Sequence, residues 1–334
     1  EPFFGNLKKN IDNVKLRLSY GSLGNQQVGY YDYIQTINTN GTMNYIFGDQ
    51  KKGSYASVSD PNSADLTWET VSTWNVGLDL GFLNNRLNLT ADAYVRDTKG
   101  MQTSGKKLPG AYGANEPKQN AANLRTKGWE LMLTWNDAFK LANKPFRYNL
   151  SVGLADNTSE ITKFDNPSKI LSDYYVGQKL GDIWGYVVDG LFRTDEEAAN
   201  YNVDQTAVNF VINTAQVNPG LHAGDMKFVD LDGDHTISSG SNTADDPGDR
   251  KIIGNSLPRY TYSIQGGFDW YGFDFSIYLQ GVGHQDWYPG TNSVFFWGPY
   301  ARPYSSFIPR DFLSQVWSPE NPDAYFPRPI GSGE

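Results

Sequence analysis

One feature constrains this chain more than any other. Apolar and polar residues alternate with a period of two over stretches too long for ordinary strands. In Asn13 to Gly21, Val14, Leu16, Leu18 and Tyr20 fall on one face, and Lys15, Arg17 and Ser19 on the other. The same pattern recurs in Thr73 to Gly81, Arg86 to Arg96, Trp129 to Trp135, Phe146 to Leu154, Tyr260 to Phe268 and Phe273 to Gln280. A period of two means a strand with one apolar face. The predicted strands run to about nine to eleven residues, the length a tilted strand needs to cross a bilayer; globular strands are nearer five or six. Asn84-Asn85 lies between two such runs, and Asn tolerates the positive φ of a tight hairpin turn.

The connections alternate in length. Tyr20 to Trp74, Val95 to Trp129 and Leu154 to Tyr260 are long, whereas Leu80 to Leu87, Trp135 to Phe146 and Phe268 to Phe273 are short. Long loops on one side and short turns on the other is the layout of outer-membrane barrels, and loops this long count against a compact soluble domain. One face carries Lys15, Arg17, Asp79, Asp92, Glu130, Arg147 and Asp274, which a wet lumen tolerates. The other is aliphatic or aromatic. Trp74, Trp129, Trp135, Tyr20 and Phe273 are expected near strand ends, as an interfacial girdle. The competing reading places these aromatics in the core of a soluble β-sandwich.

Composition narrows the class. The mean hydropathy of -0.54 excludes a bundle of transmembrane helices. It leaves a barrel open, because only alternate residues face lipid. The 9 Trp, 21 Tyr and 18 Phe are many for a soluble enzyme. Zero cysteines remove disulfides and thiol chemistry. A net charge of -9 with no basic cluster argues against nucleic acid. The chain starts at Glu1 in mid-pattern with no charged leader, which reads as a fragment or a trimmed chain.

Several short motifs stand out in order along the chain. They are Val14 to Asn25 (VKLRLSYGSLGN), Leu66 to Thr70 (LTWET), Asn75 to Asp79 (NVGLD) with Asn85-Arg86-Leu87, and Asn123 to Glu130 (NLRTKGWE). Further along come Gly185 to Phe192 (GYVVDGLF), Gly224 to Asp234 (GDMKFVDLDGD), Ile253-Gly254-Asn255 with Pro258, and Trp317 to Pro322 (WSPENP). Together these motifs resemble the SusC/RagA family of TonB-linked outer-membrane proteins of Bacteroidota, and the resemblance runs through most of the chain in family order. It implies an all-β fold: residues 1–334 as part of an antiparallel, 22-stranded, plugged transmembrane barrel, with a long extracellular loop region at about 157–258. It further implies a multi-pass protein of the Gram-negative outer membrane, importing oligosaccharides or oligopeptides. The expected partners are a SusD-like surface lipoprotein, TonB acting through a plug outside this chain, and outer-membrane lipid.

Two local constellations could carry chemistry. Asp230, Asp232 and Asp234 alternate in DLDGDHTI, and carboxylates so spaced can converge on one Ca2+ as in the first half of an EF-hand loop. The pattern is incomplete: His235 stands at the sharp-turn position and Ser241 at the twelfth, with Asp245, Asp246 or Asp249 left to close the shell. The plain alternative is an Asp/Gly turn whose carboxylates cap backbone amides. The second constellation is aromatic: Trp287, Tyr288, Phe295, Phe296, Trp297 and Tyr300 cluster with Gly and Pro. Such rings stack on sugars or bury in a protein interface, or simply pack loops together. His222, His235 and His284 show no metal spacing, and Glu196-Glu197 reads as the solvated face of a short helix. No catalytic motif stands out, so the expectation is a protein that is not an enzyme. Two rivals remain: a soluble, calcium-stabilised glycan-binding β-protein, and a glycoside hydrolase with facing carboxylates.

Overall fold

In the computed structural model, residues 11–25, 34–46, 52–61, 63, 66–105, 109–208, 220–290, 293–301 and 307–329 are described. The strands, in chain order, are β1 (Ile11–Asn25), β2 (Ile37–Ile46), β3 (Lys52–Val58), β4 (Glu69–Phe82), β5 (Leu87–Ser104), β6 (Lys118–Leu141), β7 (Lys144–Lys163), β8 (Asp182–Tyr186), β9 (Val188–Leu191), β10 (Met226–Phe228), β11 (Arg250–Asn255), β12 (Arg259–Trp270) and β13 (Phe273–His284). Among the described residues, one short α-helix, α1 (Asp195–Ala199), lies between β9 and β10, and two more, α2 (Val294–Ala301) and α3 (Phe312–Gln315), follow β13. Among the described residues, no helix is long and apolar enough to cross a membrane.

The chain divides into two units. The first holds one seven-stranded sheet in the order β1-β4-β5-β6-β7-β12-β13, with every neighbouring pair antiparallel. The sheet is open: β1 and β13 are its edges. Tight turns close one end. Ala142 and Asn143 both take positive φ between β6 and β7, as do Tyr271 and Gly272 between β12 and β13. Leu83, Asn84 and Asn85 do so between β4 and β5. A left-handed pair at a two-residue turn matches the twist of the strands it joins.

The strands are longer than alternation predicts. β5 has 18 residues, β6 has 24 and β7 has 20. The excess is mostly polar strand, such as Lys118 to Lys127 and Asn157 to Lys163, in which apolar residues are few and do not alternate regularly. Alternation therefore marks only the stretch with one oily side. This removes much of the expected Val95 to Trp129 connection, because β5 runs on to Ser104 and β6 starts at Lys118. The expected turn from Asn136 to Pro145 likewise shrinks to two residues between Leu141 and Lys144. Beyond the oily stretch the extended strands hold a small core: Ala122, Ile161 and Phe164, packed by Met101, Leu124, Tyr174 and Leu180.

The second unit comprises residues 168–172, 181–257 and 285–334. Its core includes Phe192, Ala198, Phe228 and Ile237, with Gln205 fully buried among them. The Gln205 amide donates to the Met226 carbonyl at 2.7 Å and accepts from the Phe228 N–H at 3.2 Å. It satisfies β10 as a neighbouring strand would. Thr194 caps α1 by accepting from the Glu197 N–H at 3.1 Å, while Glu197 accepts from the Arg193 N–H at 2.9 Å. Those bonds, and Lys227 beside it, hold the Glu197 carboxyl below its ordinary range despite some desolvation. Glu197 is thus a helix-start residue.

Candidate functional site: a two-faced wall and two loop clusters

Register turns the alternation of single strands into rows that cross the whole sheet. One row is Val14, Leu80, Leu89, Leu133, Val152, Ile264 and Leu279. Every member is aliphatic. Among the described residues nothing covers this face: Leu18 is 72% exposed and Trp74 is 63% exposed. In a β-sandwich these side chains would meet a second sheet. A water-soluble monomer rarely bares more than roughly 300–600 Å² of contiguous apolar surface, and a seven-strand face far exceeds that.

Aromatic side chains bracket the aliphatic band: Tyr20, Trp74, Trp129 and Trp135 lie in mid-strand, whereas Phe273 opens β13 and Phe139, Phe146 and Phe268 each lie two residues from a strand end. Towards the long connections, Tyr20 pairs with Trp74 at 4.6 Å between ring centres, and Trp129 lies one row nearer the band. Towards the tight turns, Trp135 donates to the Tyr148 hydroxyl at 3.1 Å. Phe139, Phe146, Phe268 and Phe275 continue that side, with the last three stacked at 5.4 Å spacings. Ten residues of β6 separate Trp129 from Phe139, about 34 Å of strand. At a tilt of about 40° that rises about 26 Å, close to the apolar band of an outer-membrane barrel. The displacement from strand ends has a simple cause: β5 to β7 continue past the band as polar strand.

The opposite face is polar. The row next to the aliphatic one reads Lys15, Asp79, Thr90, Met132, Gly153, Ser263 and Gln280. On this face Arg17 is held in two forks, by Asp79 at 3.0 and 3.1 Å and by Asp92 at 3.0 and 2.7 Å. Such paired charge-assisted bonds fix a guanidinium in one plane. Gly77 makes room for it, because a Cβ there would lie 2.6 Å from both Arg17 Cζ and Asp92 Oδ1. Thr134 and Ser151 hydrogen-bond at 3.2 Å on the same face.

The chain matches the TonB dependent receptor-like β-barrel family over residues 6–307. It belongs to that family. The open sheet is part of such a barrel's wall. TonB-dependent receptor P39 of Formosa agariphila is 28% identical over 290 residues, covering 80% of this chain and 26% of the relative. TonB-dependent receptor SusC of Bacteroides thetaiotaomicron is 31% identical over 282 residues, covering 81% of this chain and 25% of the relative. The chain thus spans about a quarter of these relatives. The structure of the RagAB peptide transporter superposes with a TM-score of 0.65 at 20% identity, covering 96% of this chain and 32% of that one. The resemblance read from the motifs is therefore confirmed at the level of family and fold.

The acidic loop folds differently from its linear pattern. Asp230 and Asp232 converge with Asp249, their ligand atoms all within 4.8 Å of one another. Asp234 turns instead to the Thr236 N–H at 2.7 Å. Asp245 pairs with Lys169 at 2.7 Å and Asp246 accepts from the Ser241 N–H at 2.9 Å. Asp249 is fully buried and accepts from the Leu231 and Ser238 N–H groups, both at 2.7 Å. Asp230 accepts from Gly233 and His235 at 2.6 and 2.9 Å, and His235 takes the left-handed φ of 65° that the turn needs. Desolvation works against the Asp230 carboxylate, but those N–H bonds hold it below its ordinary range. Asp232 goes the other way. The Asp234 N–H favours its charge, yet desolvation and the carboxylates of Asp234, Asp249 and Asp230 push it up. A divalent cation would relieve that repulsion.

The aromatic cluster gains members from far along the chain. Phe296 sits edge-on to Trp287 at 5.4 Å, to Trp297 at 4.8 Å and to Phe326 at 6.4 Å. Tyr325 packs on Phe326 at 4.9 Å. Trp297 donates to the Gly290 carbonyl at 3.0 Å. Phe296 is therefore the packed hub, while Trp287, at 71% exposed, and Tyr288 present their rings outward. The side chains of Phe295 and Tyr300 lie outside the described residues. No local signal marks Tyr325 and Phe326 as members; a bridge between Val316 and Phe326 brings them back.

Proposed function

We propose that this chain forms part of the wall and outer loops of a TonB-energised importer in a Gram-negative outer membrane. The observation that supports it most is the bare apolar face, bounded on both sides by aromatic rings, on a sheet of the TonB-dependent receptor family. The long connections then lie outside the cell and the tight turns in the periplasm. The region of about 157–258 is accordingly an extracellular loop region. The polar face lines the lumen, and we assign the chain no catalytic role. Cargo is an oligosaccharide or oligopeptide, and TonB pulls on a plug outside this chain. A SusD-like lipoprotein caps the loops, with Trp287 and Tyr288 as contact residues, and Phe295, Phe296, Trp297 and Tyr300 in the same patch. Uptake of candidate oligomers by cells carrying the full-length protein tests this: uptake should vanish on deleting the TonB gene. Uptake that persists overturns it. Trp287→Ala should weaken capture of the lipoprotein by about tenfold or more, as loss of an exposed aromatic anchor does.

We further propose Ca2+ on Asp230, Asp232 and Asp249, with Asp234 outside the first ring of ligands. The convergence of the three carboxylates and the raised Asp232 support it. Raised means protonation is favoured in the folded loop. The Asp232 contribution to the ion-free loop is therefore present in acid and lost as pH rises through its titration, whereas Asp230, held low, contributes in the opposite sense. Ca2+ needs the deprotonated form, so its protection should grow over the same rise. Protease resistance of the loop with Ca2+ or EDTA at two pH values measures this; equal resistance in all four samples rejects it.

A further inference from the structure

The outer face of the wall changes character abruptly above Trp129. Moving along β6 away from the aliphatic band, the next residues on the same face are Lys127 and then Arg125. Across the sheet, Lys127 lies level with Val95, Trp74 and Tyr20, the row that ends the band. Arg125 lies level with Asp97 and Glu160. Lys99 stands one step further along β5, opposite Thr70. Three cations and two carboxylates thus meet the edge of the oily band within a few residues, in a chain whose net charge is -9.

Their pairing is uneven. Asp97 takes Nε and Nη2 of Arg125 at 2.7 and 3.1 Å, and Nη1 makes no hydrogen bond to a described residue. Lys127 is exposed and has no ion-pair partner among the described residues. A lone lysine beside a boundary Trp directs its ammonium to the level of lipid headgroups. Lys127, the outer edge of Arg125 and, about 14 Å of strand beyond the level of Lys127, Lys99 beside Asp97 form a line of N–H donors, and phosphate oxygens accept from such groups.

We infer that Lys99, Arg125 and Lys127 form a seat for a phosphate-bearing headgroup of the outer-leaflet lipid, on the outside of β5 and β6. The acyl chains of that lipid lie against Trp129, Ala93 and Leu131 below. The inference rests on the reading that this face meets lipid, with the long connections outside the cell. Asp97 orients Arg125, and Glu160 limits the patch on the β7 side. The site selects anionic from zwitterionic lipid, which the aliphatic band alone does not.

Full-length protein in detergent, mixed with equal amounts of lipid A and phosphatidylethanolamine, tests this by native mass spectrometry. The wild type should retain lipid A adducts preferentially. Lys127→Gln should lower that retention about fivefold and the Lys99→Gln, Lys127→Gln pair about twenty-five-fold, from the attraction of each basic residue to an anionic surface. Phosphatidylethanolamine adducts should not change. The Lys-to-Arg pair should restore lipid A, and Lys15→Gln on the lumen face should leave it untouched. Gel migration before and after heating verifies that each variant is a folded barrel. Wild-type lipid A retention in the folded double glutamine variant overturns the seat. So does an equal loss of both lipids. A full-length protein that stays soluble without detergent would instead overturn the membrane reading itself.

Discussion

Two adjacent rows of one sheet differ in almost everything but position. Val14, Leu80, Leu89, Leu133, Val152, Ile264 and Leu279 share their strands and hydrogen bonds with Lys15, Asp79, Thr90, Met132, Gly153, Ser263 and Gln280. Exposure does not separate them, since Leu133 is 44% exposed and its neighbour Met132 is 42%. Chemistry does. The first row has no polar atom in seven side chains; the second has five polar or charged side chains, a thioether and a glycine. A sheet with water on both sides would not keep one face so pure, and a sheet buried on one side would show that face as covered. What the contrast teaches is that the solvent of each face is written in its rows, even where burial is silent.

The contrast can be broken most severely at its centre. Leu133→Arg places a cation in mid-band and should cost about 2–4 kcal/mol of folding stability in lipid, whereas Met132→Arg should cost less than about 1 kcal/mol. Denaturant titration of the full-length protein in vesicles measures both, and equal costs would erase the distinction between the faces. A smaller break is available on the lumen side. Gly77→Ala forces a Cβ against Arg17 and Asp92 and should cost about 1–3 kcal/mol. Gly21→Ala lies on the same face with nothing within 4 Å of its new atom, so its effect should stay within about 0.5 kcal/mol. The least change sharpens the boundary of the band. Tyr148→Phe removes the Trp135 hydrogen bond at 3.1 Å and should cost about 0.5–1.5 kcal/mol, read from the same titrations. A cost near zero would mean that Trp135 finds water or a headgroup instead.

Legibility in the sequence followed the range of the interaction. All seven wall strands, the assignment of Arg17, Asp79 and Glu130 to one face, and the Asn84-Asn85 turn are local patterns, and a period of two reports them directly. The polar halves of β5, β6 and β7 were not legible, because their few apolar residues, such as Ala122, Leu124 and Ile161, make no sustained alternation. For the same reason Tyr20, Trp74 and Trp129 lie in mid-strand, while Phe273 keeps the strand end expected of it. The acidic loop was half legible. Spacing named Asp230 and Asp232, but the third carboxylate came from Asp249, which reaches them only because it folds back to cap Leu231 and Ser238.

By itself the sequence determined the strands, their two faces and the family to which the chain belongs, because side-chain alternation and ordered motifs are properties of neighbours along the chain. Only the tertiary structure decided which residues share a row, that the apolar face is open, and that Phe326 and Asp249 join clusters begun elsewhere. Those are matters of register and return, set by contacts between segments more than a hundred residues apart, such as Asp156 with Arg259 at 2.6 Å. No periodicity carries that information, since many registers satisfy the same alternation and hydrogen bonding across the sheet selects one.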